Sequence, residues 1–231
     1  MEQLPLRISP PPRPSFDNYV PGANAEALQC TRDLAAGKLR EPVVYLWGER
    51  GSGRTHLLLA AAQIDPGLVI ADDVEVLGVE SQQTLFVAIN AAREGGAKVL
   101  AAGSDSPSGL ALREDLRTRL GSGLVYQLKP LSDEDKAGYL RTEGARRGMP
   151  LSEDMIAYLL SHLPRDFASL AAVMDLLDEH SLARQRPVTL PLLREALYGA
   201  RRGSKATART DPACKLLWAC NLPSTIPRRQ K

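Results

Sequence analysis

The sequence predicts an α/β fold: a parallel sheet sandwiched by helices, followed by a small all-helical unit. Three observations predict it. Short apolar runs alternate with helical stretches as far as residue 128, only helical patterns follow Lys129-Pro130, and one strand-to-helix turn is rich in glycine. Short buried strands separated by helices make a parallel sheet covered on both faces. Aromatic residues are 5% of the chain against 44% hydrophobic overall, so the core must be aliphatic, which suits such a sheet.

The elements follow in order. Ser9-Pro10-Pro11-Pro12-Arg13-Pro14-Ser15 is an extended, semi-rigid leader that holds Gln3-Leu4-Pro5-Leu6-Arg7-Ile8 away from the body. Residues 24–36 read as a helix closed by Gly37. Residues 43–47 form a buried strand, 54–63 a helix rich in Leu and Ala, and 68–71 a second strand ending in Asp72-Asp73. A helix over 82–94, a strand over 98–102, a helix over 112–120 and a strand over 124–128 complete the sheet unit. Ser132 then caps a helix whose first turn holds acids at 133–135, and Ser152 caps another that breaks at Pro164. Helices over 166–184 and 191–200 close the bundle, the latter with Pro191 at its first position. The chain thus divides into a leader (1–15), a base (16–128), a lid (129–200) and a tail (201–231) without sustained periodicity, expected to be disordered.

Charge and cysteine content exclude several function classes. The chain holds 29 Lys and Arg against 27 Asp and Glu; the tail holds eight and one of these, leaving residues 1–200 at about −5. The body is therefore not a basic nucleic-acid binder. Cys30, Cys214 and Cys220 match no zinc spacing and give no disulfide framework, which points to a reducing cytoplasm. No apolar run reaches a membrane span, and residues 1–14 lack the apolar stretch of a signal peptide.

The chemistry concentrates in Gly48-Glu49-Arg50-Gly51-Ser52-Gly53-Arg54-Thr55, which fits G-x-x-x-x-G-[K/R]-[S/T] between a strand and a helix. Consecutive backbone amides of such a loop converge on phosphate oxygens, and the following helix adds its positive end. Thr55 would offer its hydroxyl to Mg²⁺, and Arg54 replaces the usual lysine, a forked cation in place of a compact one. Behind the next strand, Asp72 would hold Mg²⁺ and Asp73 would polarise an attacking water. These features favour nucleotide binding over efficient hydrolysis.

These residues and their surroundings resemble the AAA+ family and, within it, the DnaA-related Hda family, over roughly residues 3–200. The leader Gln3-Leu4-Pro5-Leu6 looks like a sliding-clamp-binding motif. Phe16-Asp17-Asn18-Tyr19-Val20-Pro21-Gly22-Ala23-Asn24 looks like the segment that cradles adenine, and Gly51-Ser52-Gly53-Arg54-Thr55-His56-Leu57-Leu58 resembles an Hda phosphate loop. Asp115-Leu116-Arg117-Thr118-Arg119-Leu120 resembles the segment that carries an arginine finger, placed at Arg119. Leu128-Lys129-Pro130-Leu131-Ser132-Asp133-Glu134-Asp135-Lys136 matches the junction of base and lid. Asp105, with Ser104 as a neighbouring rival, falls at the polar sensor position, and Arg165 at that of the lid arginine.

The resemblance implies a P-loop sheet with a lid, bound ADP or ATP with Mg²⁺, and docking of Gln3, Leu4 and Leu6 on the β-subunit sliding clamp of DNA polymerase III. It implies stimulation of DnaA's ATP hydrolysis in trans by Arg119, hence negative regulation of replication initiation, with DNA met through the clamp. A homo-oligomer stays open. So do three rivals: a DnaA-like ATPase or loader in initiation, a self-contained ATPase, and a clamp adaptor. One departure stands out: only Ile64-Asp65-Pro66-Gly67 separate the phosphate-loop helix from the next strand, so the usual edge strand and helix there are missing.

Overall fold

The computed structural model describes residues 13–162 and 167–184. Gln3, Leu4, Leu6, Arg165, Cys214, Cys220, the expected helix over 191–200 and the tail lie outside the described residues.

Four parallel strands form one sheet: β1 (Val43–Gly48), β2 (Val69–Ala71), β3 (Val99–Gly103) and β4 (Leu124–Leu128), in the order β2-β3-β1-β4. The central strands are apolar throughout because both of their faces are covered. Along β1, Val44 and Leu46 point into one core with Leu57, Leu58, Leu100 and Leu128, beneath α1 (Ala25–Ala35) and α2 (Arg54–Ile64). Val43 and Tyr45 point into the other with Ile89, Val99, Leu116 and Leu120, beneath α3 (Val79–Arg93) and α4 (Glu114–Gly121). This period-two division of one strand between two cores is what a doubly covered sheet demands. Tyr45 is the one aromatic among the largest fully buried side chains of the described residues, in line with the aliphatic core expected from composition.

The sheet ends at β2, consistent with the missing edge strand. Two helix starts differ from the sequence reading by more than one residue. α3 begins at Val79 rather than 82, because Gly78 caps it without any side-chain hydrogen bond and so leaves no capping residue to mark the start. α4 begins at Glu114 rather than 112; Leu112 lies ahead of the helix and is spent on the core instead.

After β4 come α5 (Asp133–Arg146), α6 (Glu153–His162) and α7 (Phe167–Arg184), packed around a separate core of Leu140, Met155, Leu159, Leu170, Met174 and Leu177. Ser132 starts α5 with a reciprocal box. Its Oγ accepts from the Asp135 amide at 3.0 Å, and the Asp135 carboxylate accepts from the Ser132 amide at 3.1 Å. Asn24, only 3% exposed, joins this unit to the base. Its side-chain amide donates to the Lys129 carbonyl and its oxygen accepts from the Lys129 amide, both at 2.8 Å. Among the described residues no helix is long and apolar enough to cross a membrane.

Candidate functional site

The C-terminal edge of the sheet is where β1 turns into α2, the crevice at which open parallel sheets bind ligands. Gly48 ends β1 with no room for a side chain: a Cβ there would sit 2.2 Å from the Leu128 carbonyl oxygen. Gly53 starts α2 at φ 95°, the left-handed region, with the Tyr19 ring packed against it. The loop between them is therefore a tight path that side chains would block. Ser52 is 5% exposed, and its Oγ is buried without a hydrogen-bond partner.

Thr55 and Asp72, the two side chains expected to hold a metal, lie against each other. The Thr55 hydroxyl donates to Asp72 Oδ2 at 2.6 Å, while Asp72 Oδ1 accepts from the Asp73 amide at 2.9 Å. The carboxylate is thus fixed in orientation at the head of α2. Among the described residues no group of three His, Cys, Asp or Glu could hold a metal by itself. A hydroxyl and one carboxylate fit Mg²⁺ that takes its remaining ligands from phosphates and water.

Asp73 is the one non-glycine described residue with positive φ, at 44°. Aspartate tolerates this conformation better than most residues, yet it still costs on the order of 1 kcal/mol. Burial, and then the Asp72 carboxylate beside it, push the Asp73 acid above its ordinary range. Arg54 faces it, with Nη2 3.3 Å from Asp73 Oδ1 and Nη1 3.9 Å from Glu75 Oε1. The Arg54 side chain is only 11% exposed, and both Arg54 Nη1 and Glu75 Oε2 are buried without hydrogen-bond partners. Leaving such atoms unsatisfied costs about 1–3 kcal/mol each. Orphaned groups of this kind around a phosphate-loop fold fit an anionic ligand carrying its own oxygens and counter-ion.

Glu75 escaped the sequence reading. It stands two residues beyond Asp73, in the turn Val74–Val76, and only the turn's geometry brings it back to Arg54. Tyr45 was read as core alone. It is also polar at its tip: its phenol donates to the Asp105 carbonyl at 2.8 Å, and burial pushes its pKa well above the usual tyrosine value.

The remaining predicted residues sort by partner. The Asp105 side chain accepts from the Ser106 amide at 2.6 Å and abuts Gly109, so its carboxylate is taken up in a local turn; Ser104 beside it is exposed. The His56 ring is committed to the Ser15 carbonyl at 2.9 Å and tilts against Tyr19 at 5.4 Å, and burial lowers its affinity for a second proton. What His56 positions directly is the lead-in segment, which Arg32 also holds through the Phe16 carbonyl at 2.8 Å. Around α4, Arg113 pairs with Asp115 at 2.6 Å and Arg117 with Glu114 at 3.2 Å. The half-exposed Arg119 guanidinium makes no hydrogen bond or ion pair among the described residues.

This arrangement of strand, glycine loop, helix and paired acids, with a helical lid after the last strand, defines an AAA+ protein. A profile described as the Hda lid domain matches residues 133–197. An uncharacterized protein of Haemophilus influenzae is 31% identical over 228 residues, covering 85% of this chain and 98% of the relative. Domain III of the Thermotoga maritima replication initiation protein DnaA superposes with a TM-score of 0.67 at 19% identity, covering 81% of this chain and 97% of that one. Replication initiator DnaA bound to AMPPCP and single-stranded DNA superposes with a TM-score of 0.65 at 16% identity, covering 84% of this chain and 70% of that one. The chain belongs to the Hda family of DnaA-related AAA+ proteins.

Proposed function

We propose that this protein is a negative regulator of replication initiation that binds ADP or ATP with Mg²⁺, docks on the DNA-loaded sliding clamp and stimulates ATP hydrolysis by DnaA. The carrying observation is Arg119. Among the described residues it is the arginine of α4 left without an ion pair, while Arg113 and Arg117 before it are tied down. A free guanidinium on a short, well-packed helix can reach a neighbouring molecule's phosphates, and charge delivered there in trans stabilises the transition state of phosphoryl transfer.

Within the chain, the loop amides from Gly51 to Thr55 and the Arg54 guanidinium would receive the phosphates, with Arg165 from the lid and Asp105 as sensors. Mg²⁺, held by Thr55 and Asp72, would neutralise phosphate charge. Asp73 would polarise an attacking water. Gln3, Leu4 and Leu6 would carry the clamp contact, with Leu4 and Leu6 filling apolar hollows and Gln3 hydrogen-bonding at the rim. The setting is the cytoplasm.

The test mixes the purified chain with clamp-loaded DNA and ATP-bound DnaA and follows phosphate release. Arg119→Ala is expected to return hydrolysis to the rate of DnaA alone, a loss that reaches about 10³-fold where a finger is fully engaged. Replacing Gln3 and Leu4 by alanine should remove the dependence on the clamp. The Thr55–Asp72 contact favours a second reading, a DnaA-like ATPase or loader acting directly in initiation. Hydrolysis by the chain alone, unchanged in Arg119→Ala, would establish that reading in place of the first.

A further inference from the structure

Arg54 does not lie free over its loop. Its two terminal nitrogens face two different acids, Asp73 at 3.3 Å and Glu75 at 3.9 Å, and a third, Asp72, accepts from the Asp73 amide at 2.9 Å. Both distances are ion-pair rather than hydrogen-bond distances, and Nη1 and Glu75 Oε2 are each left buried without a hydrogen-bond partner. The guanidinium is therefore held by charge in a place where its hydrogen-bonding capacity is not used. Beyond Glu75 the space is closed by the Tyr45 phenol and Val74, which surround Gly103 where it lacks a side chain.

We propose that Glu75 is a positioning residue for Arg54: with Asp73 it forms an acidic latch that draws the guanidinium away from the phosphate-binding loop, and a nucleotide must break the latch to recruit it. This inference rests on the nucleotide-binding reading of the site. It also accounts for arginine at this position. A forked guanidinium can face both acids at once, one with each terminal nitrogen, whereas a single ammonium has no second arm to offer. The latch subtracts from the affinity that Arg54 would otherwise contribute, because the two acids and the phosphates compete for one cation. Affinity is then set in part by a residue placed behind the loop.

The test is a double-mutant cycle on the full chain, titrated calorimetrically with ADP and with ATP, each with Mg²⁺. The proteins are wild type, Glu75→Gln, Arg54→Lys and the combination. Glu75→Gln should tighten binding about three- to fivefold when Arg54 is present, the size of one partly exposed ion pair. In the Arg54→Lys background it should change binding less than about twofold. Asp73→Asn, which alters the exposed arm of the latch, runs the same cycle independently should Glu75→Gln fail to fold, and is expected to move binding in the same direction. Unchanged or weaker binding in Glu75→Gln, or the same tightening in both backgrounds, would overturn the latch. Wild-type protein that melts cooperatively yet takes up neither nucleotide would instead remove the nucleotide-binding reading beneath it.

Discussion

The phosphate-loop crevice and the lid both contain partly buried charges, but they treat them in opposite ways. In the lid, Glu143 accepts from Arg146 at 2.6 and 2.7 Å and from Arg147 at 2.6 Å, and Arg147 reaches on to Asp175 at 2.7 Å. Arg141 holds Glu153 through two bonds of 2.7 Å. In the crevice, Arg54 faces its acids at 3.3 and 3.9 Å, and Ser52 Oγ, Arg54 Nη1 and Glu75 Oε2 go unpaired. Among the described residues no buried side-chain atom of the lid is orphaned in this way. A network that satisfies itself serves the fold; one that leaves its atoms waiting is shaped for something else.

The comparison can be broken most forcefully in the lid. Glu143→Ala leaves Arg147 with the half-exposed Asp175 alone and should cost about 2–3 kcal/mol in denaturant unfolding, discounted from a fully buried pair because Arg146 is exposed. The Arg146 guanidinium, then that of Arg147, hold the Glu143 acid down at about 2. A depressed carboxylate contributes stability above its unfolded pKa and loses it as pH falls through the folded value. The contribution of Glu143 should therefore persist down to about pH 4.5 and vanish toward pH 2. An acid titration that is identical in wild type and Glu143→Ala would contradict this.

Ser52→Ala should behave in the reverse manner. Removing a buried, unpaired hydroxyl leaves folding stability unchanged or slightly higher, whereas nucleotide affinity should drop by about 1 kcal/mol, roughly fivefold. A variant that melts early while binding normally would place Ser52 with the lid residues as a purely structural group.

The smallest effect belongs to His56. Burial lowers its pKa, so the folded chain binds fewer protons than the unfolded one between the two values. Stability should decline as pH falls below about 6.5, and His56→Gln should flatten that decline. Hydrogen exchange over residues 13–24 against pH would reveal it; protection that is insensitive to pH in wild type would refute it.

The crevice was legible from sequence in its backbone and less so in its side chains. The β1–α2 turn follows from glycine spacing between an apolar run and a helix, and the Thr55–Asp72 meeting follows from two strands ending at one edge of a parallel sheet. Strand and helix periodicities carry that much. The involvement of Glu75 depends on a one-turn reversal after Asp73, whose positive φ no residue pattern announces. The immediate partners of Asp105 and His56 were equally hidden: the Asp105 carboxylate accepts from the next residue's amide in a local turn, and the His56 ring meets the Ser15 carbonyl from 41 positions away. Asn24 sat inside a motif noted for the base, and its bridge to Lys129 spans 105 positions, beyond any local signal.

That bridge restricts how the two units can turn. Lys129 opens the lid directly after the base, and its backbone is pinned from both sides by one side-chain amide belonging to the stretch that carries Tyr19. Two short bonds to the backbone of a single residue resist twisting far better than one would. Any tilt of the lid must therefore drag on residues 19–24, so the angle of the upper unit and the shape of the segment around Tyr19 cannot change separately.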